Sequence, residues 1–172
     1  MTNASAFLKT MLVILAASFL SAPWTVDAAP QLGQPVPHFM VTSTSGQTIS
    51  QDNYRGHVLI LEFFSTFCPP CRRSIPHLVE LNRHYGKQGL QVLGLCIDED
   101  GEWLVKRLAD ELRVNYPLAV AGDSLIADFN GRSVPVMYLV DKKGNIAEVY
   151  RGYTEDIGRS VEQSIKRLLE EK

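Results

Sequence analysis

Two cysteines, Cys68 and Cys71, bracket a pair of prolines in "FFSTFCPPCRRSIP", directly after an apolar run and directly before a helical pattern. At the start of a helix the partial positive charge of the N-terminus favours a thiolate, the form that attacks disulfides. Pro69 and Pro70 suit the first helical positions, where a fixed φ and a missing N–H are tolerated. Two intervening residues let both sulfurs meet on one turn. Cys68 can then open a substrate disulfide, and Cys71 can resolve the mixed disulfide that results. Neither proline can donate an N–H to Cys68, which makes the thiolate less stabilised and the couple less oxidising. Arg72 and Arg73 push the other way, or simply face solvent.

The chain holds 3 cysteines, so at most one internal disulfide forms and one thiol is left over. Cys68 and Cys71 are the natural pair. Cys96 lies inside an apolar run and reads as an inert buried thiol, with redox coupling to the main pair as the alternative. A structural zinc site normally has four Cys or His ligands, and Cys96 with a histidine would have to complete it. The histidines at 38, 57, 77 and 84 are scattered, and none stands in a recognisable protease arrangement with Cys68.

The elements that must hold these thiols follow from the apolar spacing. "HVLILEFF" and "LQVLGLCI" are nearly continuous apolar runs, as strands covered on both faces are. Between them Ile75, Leu78, Val79, Asn82 and Tyr85 fall on helical spacing, so strand, helix and parallel strand form one βαβ unit. "PVPHFMVTSTSGQTIS" predicts two short strands around a turn at Ser45-Gly46, with its prolines at an edge. "GEWLVKRLADELRV" predicts a helix with Leu104, Val105, Leu108 and Leu112 as its stripe, and "DSLIADF" a short helical turn. "VMYLV" and "NIAEVY" flank a hairpin at "DKKGN". A last helix from about Glu155 carries Val161, Ile165, Leu168 and Leu169. The expected class is α/β, a central mixed sheet flanked by helices with an N-terminal β-hairpin.

Length and charge narrow the function. A chain of 172 residues, 45% hydrophobic and 21% charged, fits one globular domain, and a net charge of -2 lacks the basic excess of a nucleic-acid binder. Residues 1–28 read as a secretory signal peptide, or an uncleaved membrane anchor: Lys9, an apolar stretch from Met11 to Leu20, then Val26 and Ala28 before a cut. Residues 29–34 read as a linker and 35–172 as the domain. The chain is therefore expected outside the cytoplasm, periplasmic or otherwise extracytoplasmic.

The segment "LEFFSTFCPPCRRSIPHL" resembles the active-site segment of the thioredoxin superfamily, and more closely the TlpA/ResA-type thiol-disulfide oxidoreductases of bacterial envelopes, a redoxin or AhpC/TSA-like domain. The likeness extends from "GQPVPHFMVTSTSGQTIS" through "SVPVMYLVDKKGNIAEVYRGY". It implies a thioredoxin-like fold and a protein-disulfide reductase. No cofactor is implied beyond the Cys68–Cys71 couple, and no metal. The implied partners are a disulfide-containing envelope protein, such as an apocytochrome c awaiting haem, and a membrane thiol donor of electrons; the chain is expected to be a monomer. A peroxiredoxin-type thiol peroxidase, with Ser65 three residues before Cys68, is the enzymatic alternative. A copper-delivery protein is the non-enzymatic one, although that family wants a CxxxC spacing and a later histidine.

The resemblance also assigns residues. Pro135 in "SVPVM" resembles the cis-proline opposite the two cysteines, which leaves the Val134 backbone free to pair with an incoming chain. Pro76 resembles the helix-kinking proline, the alternative being a break between two helices. Phe67 takes the place of the family's tryptophan. Together with Pro69, Pro70, Val134 and Val136 it forms the expected docking rim. Trp103 is expected elsewhere, on a helix. Glu62 interrupts an apolar run, where burial raises a carboxyl's pKa. It aligns with the buried carboxylate of thioredoxins, where many TlpA/ResA-like chains have Asn. It is a candidate to accept or supply the proton of Cys71, against a carboxylate at the periphery or one satisfied by a lysine. Glu99, in "CIDEDGE", resembles an active-site glutamate of ResA-type proteins, and also reads as an ordinary acidic turn.

Overall fold

The computed structural model describes residues 29–99 and 101–171. The predicted leader lies outside them. A hairpin of β1 (Met40–Thr42) and β2 (Thr48–Ser50) comes first. Then follow β3 (Val58–Phe64), α1 (Pro69–Tyr85), β4 (Leu90–Cys96), α2 (Gly101–Leu112) and β5 (Leu118–Val120). The chain ends with α3 (Asp123–Asp128), β6 (Val136–Val140), β7 (Ile146–Arg151) and α4 (Glu155–Glu170). Five strands form one mixed sheet in the order β5-β4-β3-β6-β7. β3 pairs parallel with β4 and antiparallel with β6.

Every side chain of β3 is buried because the sheet is covered on both faces. Side chains alternate along a strand, so β3 feeds two separate layers. Val58, Ile60 and Phe64 pack with Ile75, Leu78 and Val79 of α1, Val105 and Leu108 of α2, and Val161 and Ile165 of α4. Leu59, Leu61 and Phe63 pack on the opposite face with Val41 and Ile49 of the hairpin, Leu125 of α3, and Phe129. Glu62, between Leu61 and Phe63 in the chain, therefore turns toward α1 with Ile60 and Phe64.

α1 runs unbroken through Pro76, so this proline lies inside one helix rather than between two. The helix ends in a tight turn whose last residue, Gly89, takes φ +107°, a left-handed conformation that swings the chain back into β4. α4 begins where the Thr154 hydroxyl accepts the Ile157 N–H at 3.3 Å.

The hairpin and the segment before it cover sheet edges that would otherwise offer unpaired amides. Thr44 N–H donates to the Leu118 carbonyl at 2.8 Å, beside β5. At the far edge, Gly33 N–H donates to Ile146 and Ile146 N–H to Gln34, at 2.7 and 2.9 Å. Part of the expected linker is thus bound to the β6–β7 hairpin.

The loop from α3 to β6 is pinned by close packing. A Cβ on Gly131 would sit 2.6 Å from Cδ1 of Phe63, a fully buried ring that itself packs on Phe129 at 5.3 Å between centroids. Gly131→Ala is expected to cost about 1–3 kcal/mol, read as a lower urea midpoint with an unchanged m-value.

Candidate active site

The junction of β3 and α1 sets the sulfurs. A disulfide joins Cys68 and Cys71, whose Cα atoms are 5.2 Å apart. Cys68 is the N-cap of α1 and is half-buried, whereas Cys71 is fully buried beneath it. Pro69 and Pro70 occupy the first two helical positions and bring no amide. The first donor of the helix is therefore Cys71, whose N–H points at Cys68 Sγ at 3.2 Å. The next, from Arg72, goes to the Cys68 carbonyl at 3.1 Å.

The strand order places other segments on each side of this junction. β4 ends beside β3 on one flank, and β6 begins beside it on the other. On the β6 flank the Val134–Pro135 bond is cis, and the Val134 carbonyl oxygen lies 3.8 Å from Cys68 Sγ. Val134 is half-buried and available beside the sulfur. Val136 is not, which corrects the expected rim: β6 is enclosed on both faces, and Val136 is fully buried against the hairpin side of the core.

On the β4 flank, Asp98 holds the loop that leads into Cys68. It accepts the Thr66 N–H at 2.8 Å and the Thr66 hydroxyl at 2.6 Å. Burial alone would raise the Asp98 pKa, but these bonds and the Ser65 hydroxyl hold it below the ordinary carboxylate value. Sequence reading passed Asp98 over as part of an acidic turn. Phe67 is 73% exposed and Trp103 61% exposed, and the two line one open groove with Asp98, Glu99, Leu104 and Arg107. Trp103, expected elsewhere, is on a helix but stands at the site. Glu99 is exposed on the wall of the same groove.

Glu62 is 0% exposed. Neither the periphery nor a lysine accounts for it, because its hydrogen-bond partner is Ser74, also fully buried, with Ser74 Oγ 2.5 Å from Glu62 Oε1. Ser74 Oγ is also 3.0 Å from the Cys71 carbonyl oxygen, linking the carboxyl to the buried cysteine's peptide. Among the described residues, Glu62 Oε2 and the hydroxyl of Tyr116 are buried without a hydrogen-bond partner. Burial pushes the Glu62 carboxyl up to about 8 against an opposing pull from Ser74. Cys96 is a free, buried thiol pushed up to about 12 by burial, which keeps it protonated and unreactive. Arg72 turns away to pair with Glu111 of α2.

Residues 32–162 match the AhpC/TSA family. The chain belongs to it. Among its relatives is thiol-disulfide oxidoreductase ResA of Geobacillus kaustophilus, 29% identical over 165 residues, 94% of each chain. Another is thioredoxin-like protein YneN of Bacillus subtilis, 30% identical over 71% of this chain and 72% of the relative. Among solved structures, a thiol:disulfide interchange protein of the thioredoxin family from Chlorobium tepidum superposes with a TM-score of 0.70 at 26% identity, covering 83% of this chain and 99% of that one. The chain is accordingly a TlpA/ResA-like thiol-disulfide oxidoreductase with a thioredoxin-like fold.

A carboxyl that ordinarily titrates near 4.5 but titrates near 8 when folded keeps its proton across that window, while the unfolded chain has lost it. Stability of the oxidoreductase should therefore fall as pH rises from about 4.5 to about 8 and then level off. Glu62→Gln removes that dependence. Urea unfolding of the disulfide form should find the variant's advantage over wild type larger at high pH than at pH 5, by roughly 2–4 kcal/mol. Parallel stability curves would rule out a proton held at Glu62.

Proposed function

We propose that this oxidoreductase acts outside the cytoplasm as a reductant of protein disulfides. The observation that carries the direction is the proline-blocked first turn of α1. In a reduced enzyme the Cys68 thiolate would receive one helix amide, that of Cys71, because Pro69 and Pro70 have none. A thiolate held by fewer donors gives up its electrons more readily.

The reaction balances as follows. The Cys68 thiolate attacks one sulfur of a substrate disulfide, and the other substrate sulfur leaves as a thiolate. Glu62, ionised at that stage, takes the proton of Cys71 through a general-base step at the buried end of the site. The Cys71 thiolate then attacks Cys68 Sγ, forming the Cys68–Cys71 bond and releasing the second substrate sulfur. Two electrons have passed to the substrate, and the proton remains on Glu62. Reduction by a membrane thiol donor, run in reverse through the same steps, resets the enzyme.

Substrate access is from the open side of Cys68. Val134 offers backbone for a short stretch of strand addition, and Phe67 with the neighbouring Pro69 and Pro70 offers apolar surface. Glu99 serves as a polar wall of the groove on the other flank. The substrate is a disulfide-bearing envelope protein, with an apocytochrome c whose haem-binding cysteines need reducing as the favoured kind. The resemblance to ResA-type chains and the leader-like residues 1–28 support this reading. Among the described residues no helix is long and apolar enough to cross a membrane.

The reduction potential of the Cys68/Cys71 couple, equilibrated in graded thiol buffers, tests the direction. A value near about -270 mV or lower is expected, and one towards about -120 mV would make the protein a disulfide donor. Cys71→Ser should accumulate mixed disulfides at Cys68 with a reducible protein such as insulin, seen as a mass shift lost on adding dithiothreitol. Cys68→Ser should accumulate none.

A further inference from the structure

The contacts of Ser74 pose a question of proton counting. A serine hydroxyl carries one proton and can accept through its lone pairs. Ser74 Oγ is at bonding distance from two acceptor oxygens, Glu62 Oε1 at 2.5 Å and the Cys71 carbonyl at 3.0 Å. One hydroxyl proton shared between two acceptors gives two weakened bonds. A proton on Glu62 relieves that sharing: the Glu62 carboxylic acid then donates to Ser74, and Ser74 donates its own proton fully to the Cys71 carbonyl.

When Glu62 loses its proton, that order cannot persist. The carboxylate is fully buried and Ser74 is its hydrogen-bond partner among the described residues, so the Ser74 proton turns to it and leaves the Cys71 carbonyl to the helix. We propose that the Ser74 hydroxyl is a two-position proton switch that couples the charge state of Glu62 to the peptide of Cys71. Ser74 is thus a positioning residue for the exchange reaction, one turn along α1 from the resolving sulfur.

Among the described residues Ser74 is the group that hydrogen-bonds Glu62. Beside Glu62, β4 contributes Gly94, which has no side chain, and β6 contributes Met137. Cys71 and Ser74 come from α1. The segment before β5 contributes the Tyr116 phenol, buried and unpaired, whose pKa burial and the Glu62 charge raise well above the ordinary value. The segment before α4 contributes the Tyr153 phenol, raised by burial first and by Glu62 among the charges around it. No cation pairs with Glu62 among the described residues, so a neutral hydroxyl is its available source of stabilisation when charged.

The switch deepens the proposed role of Glu62 and rests on it for its use in catalysis, but it can be tested without turnover. In the oxidised protein, carbon-13 NMR would follow the Glu62 carboxyl and the Cys71 backbone carbonyl against pH. In wild type both signals should titrate with one midpoint. In Ser74→Ala the Glu62 midpoint should rise by about one pH unit, a roughly tenfold tighter hold on its proton, and the Cys71 carbonyl should lose most of its titration amplitude. Ser74→Thr, which keeps the hydroxyl, should restore both, with thermal melts at pH 6 checking that each variant folds. An unmoved Glu62 midpoint, or a Cys71 carbonyl that titrates fully without the hydroxyl, would overturn the switch. Failure of Glu62 as proton acceptor would appear elsewhere, as an unchanged pH–rate profile for disulfide reduction in Glu62→Gln.

Discussion

A carboxyl group removed from water in the middle of the central strand constrains everything around it. An ionised carboxylate buried without a partner is strongly disfavoured, so the protein must let it hold a proton or give it a donor. Here burial raises the carboxyl's pKa, and one serine contributed by the helix that carries the cysteines gives it a hydrogen-bond partner that pulls the other way. The alternation of β3 turns Glu62 toward α1, and the helical spacing of three residues puts Ser74 on the same inward face as Cys71. The redox pair and the acid group are thus two ends of one rigid junction.

Around that junction the sheet order is what turns a dithiol into a site. Parallel β4 and antiparallel β6 deliver a loop on each side of Cys68. One brings the Val134 carbonyl, the other brings Asp98 and the groove of Phe67 and Trp103. The N-terminal hairpin covers the far face of the sheet and, with the segment before it, hydrogen-bonds to its edges, so that fewer edge amides are left unpaired.

Much of this was legible in the residues. Two uninterrupted apolar runs with a helical pattern between them specify a parallel pair, and β3 and β4 pair in that way. The junction of Cys68 with a helix start was readable from the prolines, and the burial of Glu62 from the six apolar neighbours in its strand. β5 was not read: like β1 and β2 it has three residues, but it pairs in parallel with β4 and has no tight turn beside it to mark a hairpin. Val136 misled because an enclosed strand buries both its faces, which apolar composition alone does not distinguish from a rim. Ser74, Asp98 and Trp103 escaped because their importance lies in what the fold brings to them from 12, 32 and 36 positions away. A serine in a helix or an aspartate in an acidic turn carries no local mark of such a partner.

The paired prolines at the head of α1 have an evolutionary corollary. A helix start ordinarily presents several amides, and each is a site at which drift can strengthen or weaken the hold on a capping sulfur. In this chain two of those sites are closed by ring formation, and their opening requires nothing more than replacement of Pro69 or Pro70 by any other residue. On the proposed reading, electron donors and electron acceptors built on this scaffold would be near neighbours in sequence space, and selection on the direction of flow would act on two codons, with the sheet, the groove and the buried acid left untouched.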